Sequence, residues 1–366
     1  MSIYHYAKYY LTPLLAIAAM SGVLLGGYWM WLGFWVLLVI VVGGDAFLGE
    51  DSSKPPYRFP SLIELPLHLA LPLLTLLLIS FAWSLGTGEK DFLKIGATLN
   101  GLFPYDFLAG RDKTGPLDHI GGLISVGFTV AGYGTNVAHE LTHRVKSHPS
   151  MFEGRWILSM SCNSDFSIEH VYGHHVTVGT EEDPATARRG ENVYLFFLRS
   201  TLMGHLSAWR LELRWLRKNG QSNWFWDNRM TKGYLMSLVW VAMFFYAGGV
   251  KGLLFFLGQA LFAKFILEVV NYMEHYGLWR RPDEPIRPHH SWNTNKRMSG
   301  MVLYSLTRHS AHHEKPRIPF WNLDPYTQAP QMPYGYLTTI FVCLLPPLWY
   351  RVIDPGLRDW DLHYAA

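Results

Sequence analysis

The chain has 366 residues, of which 49% are apolar, 15% aromatic and only 16% charged, against roughly 25% charged in an ordinary soluble domain. Scarce charge with abundant aromatic residues excludes intrinsic disorder and argues against a plain soluble globule. The net charge of +3 is too small for nucleic-acid binding, and two cysteines, Cys162 and Cys343, exclude a disulfide scaffold and any four-cysteine iron–sulfur centre.

The first long element, Leu11–Val42, is 32 residues without a charged side chain, more than the roughly 20 that one bilayer crossing needs. Gly26-Gly27 divides it into a predicted hairpin of spans over 11–25 and 28–47. No basic n-region or small-residue cleavage site precedes it, so it reads as an anchor rather than a signal peptide. A third span is predicted over 62–85, and the mixed stretch Gly86–Pro116 reads as an interfacial or external loop. A fourth span over 119–139 is apolar with glycines, which membrane helices tolerate. A second hairpin, 234–250 and 252–274, is broken at Gly248-Gly249. The fold class expected is all-α: a polytopic membrane protein of six transmembrane helices, one domain over 1–366, with a helical cap over 140–232 and 275–366. Arg144–Lys232 is rich in Lys and Arg, as is the tail after the sixth span. The positive-inside rule puts both on the cytoplasmic side, which in a bacterium means an inner-membrane protein with its site toward the cytoplasm.

Four histidine clusters punctuate this plan. His139-Glu140-Leu141-Thr142-His143 closes the fourth span. An i, i+4 pair shares a helix face with Cβ atoms roughly 5–6 Å apart, so two imidazoles can reach one metal at roughly 2.0–2.1 Å. Alone, the pattern equally fits a zinc-protease helix or two interfacial histidines. In Glu169-His170-Val171-Tyr172-Gly173-His174-His175, a helix puts His170 and His174 on one face with His175 beside them. His275 ends the sixth span, and His309, His312 and His313 follow at i, i+3, i+4. The topology gathers all nine at one membrane interface. A tetrahedral zinc takes four ligands, so nine imidazoles suit two metals with four or five each. Imidazole serves Fe, Zn, Cu and Ni alike. Glu140, Glu169, Glu274 and Asp165 are candidate carboxylates to orient ligands and offset charge; the plain alternative is a solvated or capping acid. His5, His68, His119, His148, His205 and His363 lack partners at ligand spacing and read as surface residues, and His289-His290 as structural residues of the cap.

Polar residues inside the spans lead toward the same end. Lys264, Glu268, Tyr272 and His275 share one face of the sixth span, and Thr129, Tyr133 and Asn136 lead along the fourth to His139. Intramembrane polar groups usually face the bundle interior. A tunnel between walls of Leu, Phe, Trp and Val would admit an apolar chain and guide its end to the metals.

At these residues the chain resembles the membrane-bound alkane monooxygenases (AlkB-type) of the membrane fatty-acid desaturase/hydroxylase superfamily. The three histidine boxes read HELTHR at His139–Arg144, EHVYGHH at Glu169–His175 and LTRHSAHH at Leu306–His313, and the NYxEHYG motif is Asn271–Gly277. That motif is the most specific signal and carries the ninth histidine. The departures are Arg144 where Lys is usual, and Thr307 and Ala311 where Gln and Asp are commoner. Gly27–Gly33 and Gln328–Pro333 also resemble the hydroxylase subunit of xylene monooxygenase, although Glu274 favours the alkane group. The resemblance implies a non-haem di-iron enzyme. It inserts one atom of O2 into the terminal methyl of an n-alkane and takes electrons from rubredoxin and its reductase. The implied iron ligands are His139, His143, His170, His174, His175, His275, His309, His312 and His313. Asn271 and Tyr272 would support them, and Thr129, Tyr133, Asn136 and Glu268 would line the channel. Arg188, Arg189, Arg217 and Lys218 would form a basic docking surface for the donor. Aryl-methyl hydroxylation is the main rival. An acyl-chain desaturase, a membrane zinc protease and a metal transporter are the others.

Overall fold

A computed structural model describes residues 3–86, 90–221 and 225–364. Residues 87–89 of the expected loop, and 222–224 and 365–366 of the expected cap, lie outside the described residues. Among the described residues the fold is helical, with only the isolated bridges Glu50–Lys296 and Asn293–Gln331 in extended pairing. Among the described residues, four helices are long and apolar enough to cross a membrane: α1 (Tyr4–Leu25), α2 (Gly27–Phe47), α3 (Pro60–Ser84) and the 47-residue Arg229–His275. The last reverses within itself at Gly249, whose φ of 61° only glycine adopts without strain, and so supplies both arms of the predicted hairpin. Gly26 turns α1 into α2 at φ 71°, where a Cβ would stand 2.5 Å from the Gly110 carbonyl oxygen. Both predicted breaks therefore fall where backbone geometry demands glycine.

The mixed stretch after α3 is not a plain loop: it holds the short helices Ile95–Leu102 and Phe107–Asp112, the second capped by the Asp106 side chain. Next comes α4 (116–143), the predicted fourth span, which is α-helical to Thr129, π-helical over Val130–Thr135 and α-helical again to His143. α5 (His148–Ser159) turns back along the end of α4 and against α3 and the Gly249 hairpin. Its Ser159 carbonyl accepts from Ser237 and the adjoining Met160 carbonyl accepts from Gln259. α5 was expected in the cap, but Ile157 and Leu158 give it an apolar face, and it buries them in the bundle.

α6 (166–177) carries a second π-helical turn, His170–His174. α7 (Val193–Lys218), capped by Asn192, packs on α6 and on α8 (Arg229–His275). Tyr194 and Phe197 meet Phe265 on one arm of α8, and Trp209 meets Tyr234 on the other. Those two contacts lie at similar distances from Gly249, so α7 crosses the hairpin rather than running along it. The remaining chain supplies α9 (Arg297–Val302), α10 (His309–Glu314), α11 (Tyr336–Cys343) and α12 (Pro346–Tyr364). α9 is fastened to α2 by Asp45, which accepts from the Ser299 amide at 2.9 Å and from the Ser299 hydroxyl. Large apolar side chains such as Trp35, Val39, Leu254 and Leu261 remain exposed on α2 and α8, as in an integral membrane protein whose outer surface faces lipid.

Candidate metal centre

All nine histidines converge. His139, His143, His170, His175 and His312 bring one ring nitrogen each to within 4.8 Å of one another, and beside them stand His174, His275 and His313, with His309 next to His275 and Glu274. These are two adjoining nests. The two π-helical turns help to place them. In a π turn the backbone bond runs i to i+5, and such turns recur at functional sites. The turn at 170–174 sends His170 and His175 to the first nest and His174 to the second, where a plain α-helix would keep His170 with His174. α10 divides in the same way, His312 going to the first nest and His309 and His313 to the second.

The nests are shaped for cations. The Nε2 atoms of His170 and His175 are 3.0 Å apart, those of His175 and His312 3.0 Å, His275 and His309 3.1 Å, and His309 and His313 2.9 Å. Two atoms ~2.1 Å from one ion and at right angles stand ~3.0 Å apart, against ~3.4 Å at the tetrahedral angle. This crowding suits more than four ligands. Nε2 of His139, His143 and His174 has no hydrogen-bond partner among the described residues although each is buried, an arrangement that is costly unless an ion is bound. Burial holds the pKa of His170, His175, His309, His312 and His313 well below the usual imidazole value and that of His143 near 4, which keeps the rings neutral. Neutral imidazole is the form that binds metal.

Of the four carboxylates singled out in the sequence, Glu274 stands beside a clustered histidine, and a fifth, Asp183, pairs with another. Burial disfavours charge on His174, but the Asp183 carboxylate, 2.9 Å from its Nδ1, outweighs burial and raises the pKa. That pairing turns Nε2 toward the nest and makes it more basic. Nothing in the sequence singles out Asp183, whose setting in Glu181-Glu182-Asp183-Pro184 is that of an ordinary surface turn. Glu274 accepts from the Tyr336 hydroxyl at 2.7 Å and has an oxygen 3.3 Å from His309 Nδ1. Glu140 pairs with Arg144 at 3.1 Å, and burial still pushes its pKa to about 7. Glu169 makes no hydrogen bond through Oε1, and burial with nearby Asp183 raises its pKa to about 8. Asp165 hydrogen-bonds not to a clustered histidine but to His205, at 3.3 Å. Tyr272 points away, donating to the Glu191 carbonyl and packing on Phe196 and Trp349. His289 stacks on Tyr364, and His290 accepts from the Arg287 amide.

A cavity of about 120 Å³ reaches the nests from between α1, α2 and α4. Leu15, Ala16, Leu37, Val41 and Phe128 wall it, and His139, His170, His309 and Glu274 close its inner end. Thr129 and Tyr133 line it, but their hydroxyls donate to the Ser125 and Pro66 carbonyls at 2.8 and 2.6 Å, so the surface they leave is apolar. Asn136 and Asn271 line it too. Glu268 does not: it faces a separate polar cavity and binds Lys264 and Ser200.

Helical architecture and histidine nests together define a membrane metalloenzyme of the histidine-box kind, and comparison with known proteins agrees. Residues 115–342 match the fatty acid desaturase family. Alkane 1-monooxygenase 1 of Pseudomonas aeruginosa is 36% identical over 91% of each chain. Alkane 1-monooxygenase 2 of Alcanivorax borkumensis is 31% identical over 96% of this chain and 89% of its own. The xylene/toluene monooxygenase hydroxylase component XylM of Pseudomonas putida is 32% identical over 98% of this chain and 91% of its own. The chain belongs to the fatty acid desaturase family, in its branch of AlkB-type alkane monooxygenases, and is a monooxygenase.

Proposed function

We propose that this chain is a non-haem di-iron monooxygenase of the bacterial inner membrane that converts the terminal methyl of an n-alkane to a primary alcohol with O2 and electrons from rubredoxin. The observation that carries this reading is the apolar cavity ending on His139, His170 and His309. Such walls bind a hydrocarbon chiefly by burial of its surface. Each residue then has a part. His139, His143, His170, His175 and His312 would hold one ion; His174, His275, His309 and His313 would hold the other. Asp183 fixes the tautomer of His174, and Tyr336 fixes Glu274 beside His309. Leu15, Leu37, Val41 and Phe128 exclude water and aim the methyl end at the nests. Iron supplies the redox chemistry that zinc lacks. The remaining demands on the protein are orientation and dryness.

On the basic face, Arg217 and Lys218 are exposed. Arg189 is tied to Asp361 at 2.6 and 2.7 Å and contributes little free charge to a donor docking there. Similarity to XylM supports a second reading in which an aryl methyl is the substrate. The test is to supply purified enzyme with O2, reduced rubredoxin and either octane or p-xylene. The proposal expects 1-octanol as the faster product. Exclusive benzylic oxidation would favour the second reading, and desaturated products would overturn both.

A further inference from the structure

We propose that His205 and Asp165, with the small polar cavity behind them, form the proton inlet of the metal centre. The inference rests on the hydroxylase reading above. That reaction, R–CH3 + O2 + 2 e⁻ + 2 H⁺ → R–CH2OH + H2O, breaks a C–H and the O–O bond and forms a C–O bond and water. A one-electron protein donor supplies the electrons, and two protons must arrive from solvent. The large cavity suits them poorly: its walls are mostly apolar, the hydroxyls of Thr129 and Tyr133 are committed to backbone carbonyls, and its polar residues Asn136, Asn271 and Glu274 stand at the inner end only.

The other side of the nests offers a route. Trp209 Nε1 donates to the Tyr234 hydroxyl oxygen at 2.8 Å, and that hydroxyl lies 2.9 Å from His205 Nε2. The Tyr234 oxygen could accept a second time, but the other ring nitrogen of His205 faces the acceptor-only Asp165 carboxylate and must carry the proton, so Tyr234 donates to Nε2. His205 therefore accepts at Nε2 and carries its own proton at Nδ1. Nδ1 lies 3.3 Å from Asp165 Oδ2. An imidazole so oriented takes a proton at its outer nitrogen and releases one from its inner nitrogen. The His205 side chain is 40% exposed and that of Asp165 is 11% exposed, so one transfer crosses from the protein's surface to its interior.

Behind Asp165 lies a cavity of about 20 Å³ that also touches Glu169, Lys264, Glu268, His170 and His174, enough for about one water. Lys264 is held by Glu268 and Asn163 at 2.8 Å each. Three carboxyl groups and one ammonium thus face this space and offer a proton successive resting places. Glu169 Oε1 has no hydrogen-bond partner among the described residues and shares this space with His170 and His174. Neither a structural role for His205 nor a lipid-facing one requires this continuity.

The test compares wild type with His205→Gln and Asp165→Asn in detergent-purified, metal-loaded enzyme. Expected are unchanged metal per chain, turnover lowered about tenfold or more, electrons diverted to hydrogen peroxide, a larger solvent deuterium isotope effect, and partial rescue of His205→Gln by a small diffusible acid. Independently of turnover, nitrogen-15 NMR of zinc-loaded protein should show His205 protonated at Nδ1, and Tyr234→Phe should disturb that preference. Variants with wild-type turnover and isotope effect, a loss of activity that merely follows loss of metal, or an Nε2-protonated His205 would each overturn the inlet. A wild type that hydroxylates normally beside unaffected variants leaves the hydroxylase reading standing. A wild type that holds two irons yet hydroxylates nothing overturns both.

Discussion

On one side of His170 the protein presents a cavity of about 120 Å³ walled by Leu15, Leu37, Val41 and Phe128; on the other, a space of about 20 Å³ faces Asp165, Glu169, Lys264 and Glu268. Both also touch Phe166 and Asn271. The large cavity lies among helices apolar enough to cross a membrane. The small one lies where α6, α7 and α8 meet. A hydrocarbon and a proton need opposite surroundings, since burial of apolar surface drives one and polar contact conducts the other. Placing the nests between the two lets each arrive without passing through the other's medium. The comparison also shows why polar residues in a span differ in meaning. The hydroxyls of Thr129 and Tyr133 are taken up by the Ser125 and Pro66 carbonyls, whereas Glu268 and Lys264 form a charged pair on the opposite side.

The sharpest way to break the comparison is to remove what lies between the cavities. His170→Ala, with His312→Ala as a second variant, should strip the ion from the first nest and abolish turnover, seen as a fall in metal per chain while the helical circular dichroism persists. Next in size is Asp183→Asn, which leaves His174 in place but unoriented. Metal affinity or activity should fall about 10- to 100-fold, read by metal competition with a chelator. On the substrate side alone, Ala16→Phe fills the large cavity at some cost in packing. Turnover of long substrates should drop several-fold more than that of short ones, with metal content unchanged. Equal loss for all lengths would detach that cavity from the substrate.

A smaller effect is expected from pH. In metal-free protein, burial depresses the pKa of His143 to about 4 and that of His170, His175, His309, His312 and His313 well below the ordinary value. The unfolded chain, with imidazoles near 6.5, binds protons first as pH falls. Their contribution is therefore complete above about 6.5 and is lost as pH falls toward about 4. His174, raised by Asp183, acts in the opposite sense. Chelated protein should melt at progressively lower temperature across that window, and a flat profile would contradict neutral nests. Least affected should be the docking face: Arg217→Ala with Lys218→Ala should slow reduction by the donor a few-fold at low salt and little at high salt. No change at either would remove that surface.

Much of this was legible in residue order. The hairpins at Gly26 and Gly249 follow from charge-free length and paired glycines, and the nine histidines from spacing at helix ends. What was not legible depends on departures from the regular helix and on long-range pairing. A period of 3.6 puts His170 with His174; the π turn puts His170 with His175. Asp183 and Asp165 each find a histidine partner that their own sequence neighbourhoods do not announce, 9 and 40 residues away. α5 looked like cap because it follows Arg144, yet its apolar face seats it in the bundle.

The central claim is that two adjoining nests of imidazole hold two irons. Counting metals per chain by mass spectrometry on detergent-purified protein tests it most directly. The account predicts about two irons and little zinc, falling by about one when His312 is replaced. A single zinc with no iron, undisturbed by loss of His309 and His313, would contradict it.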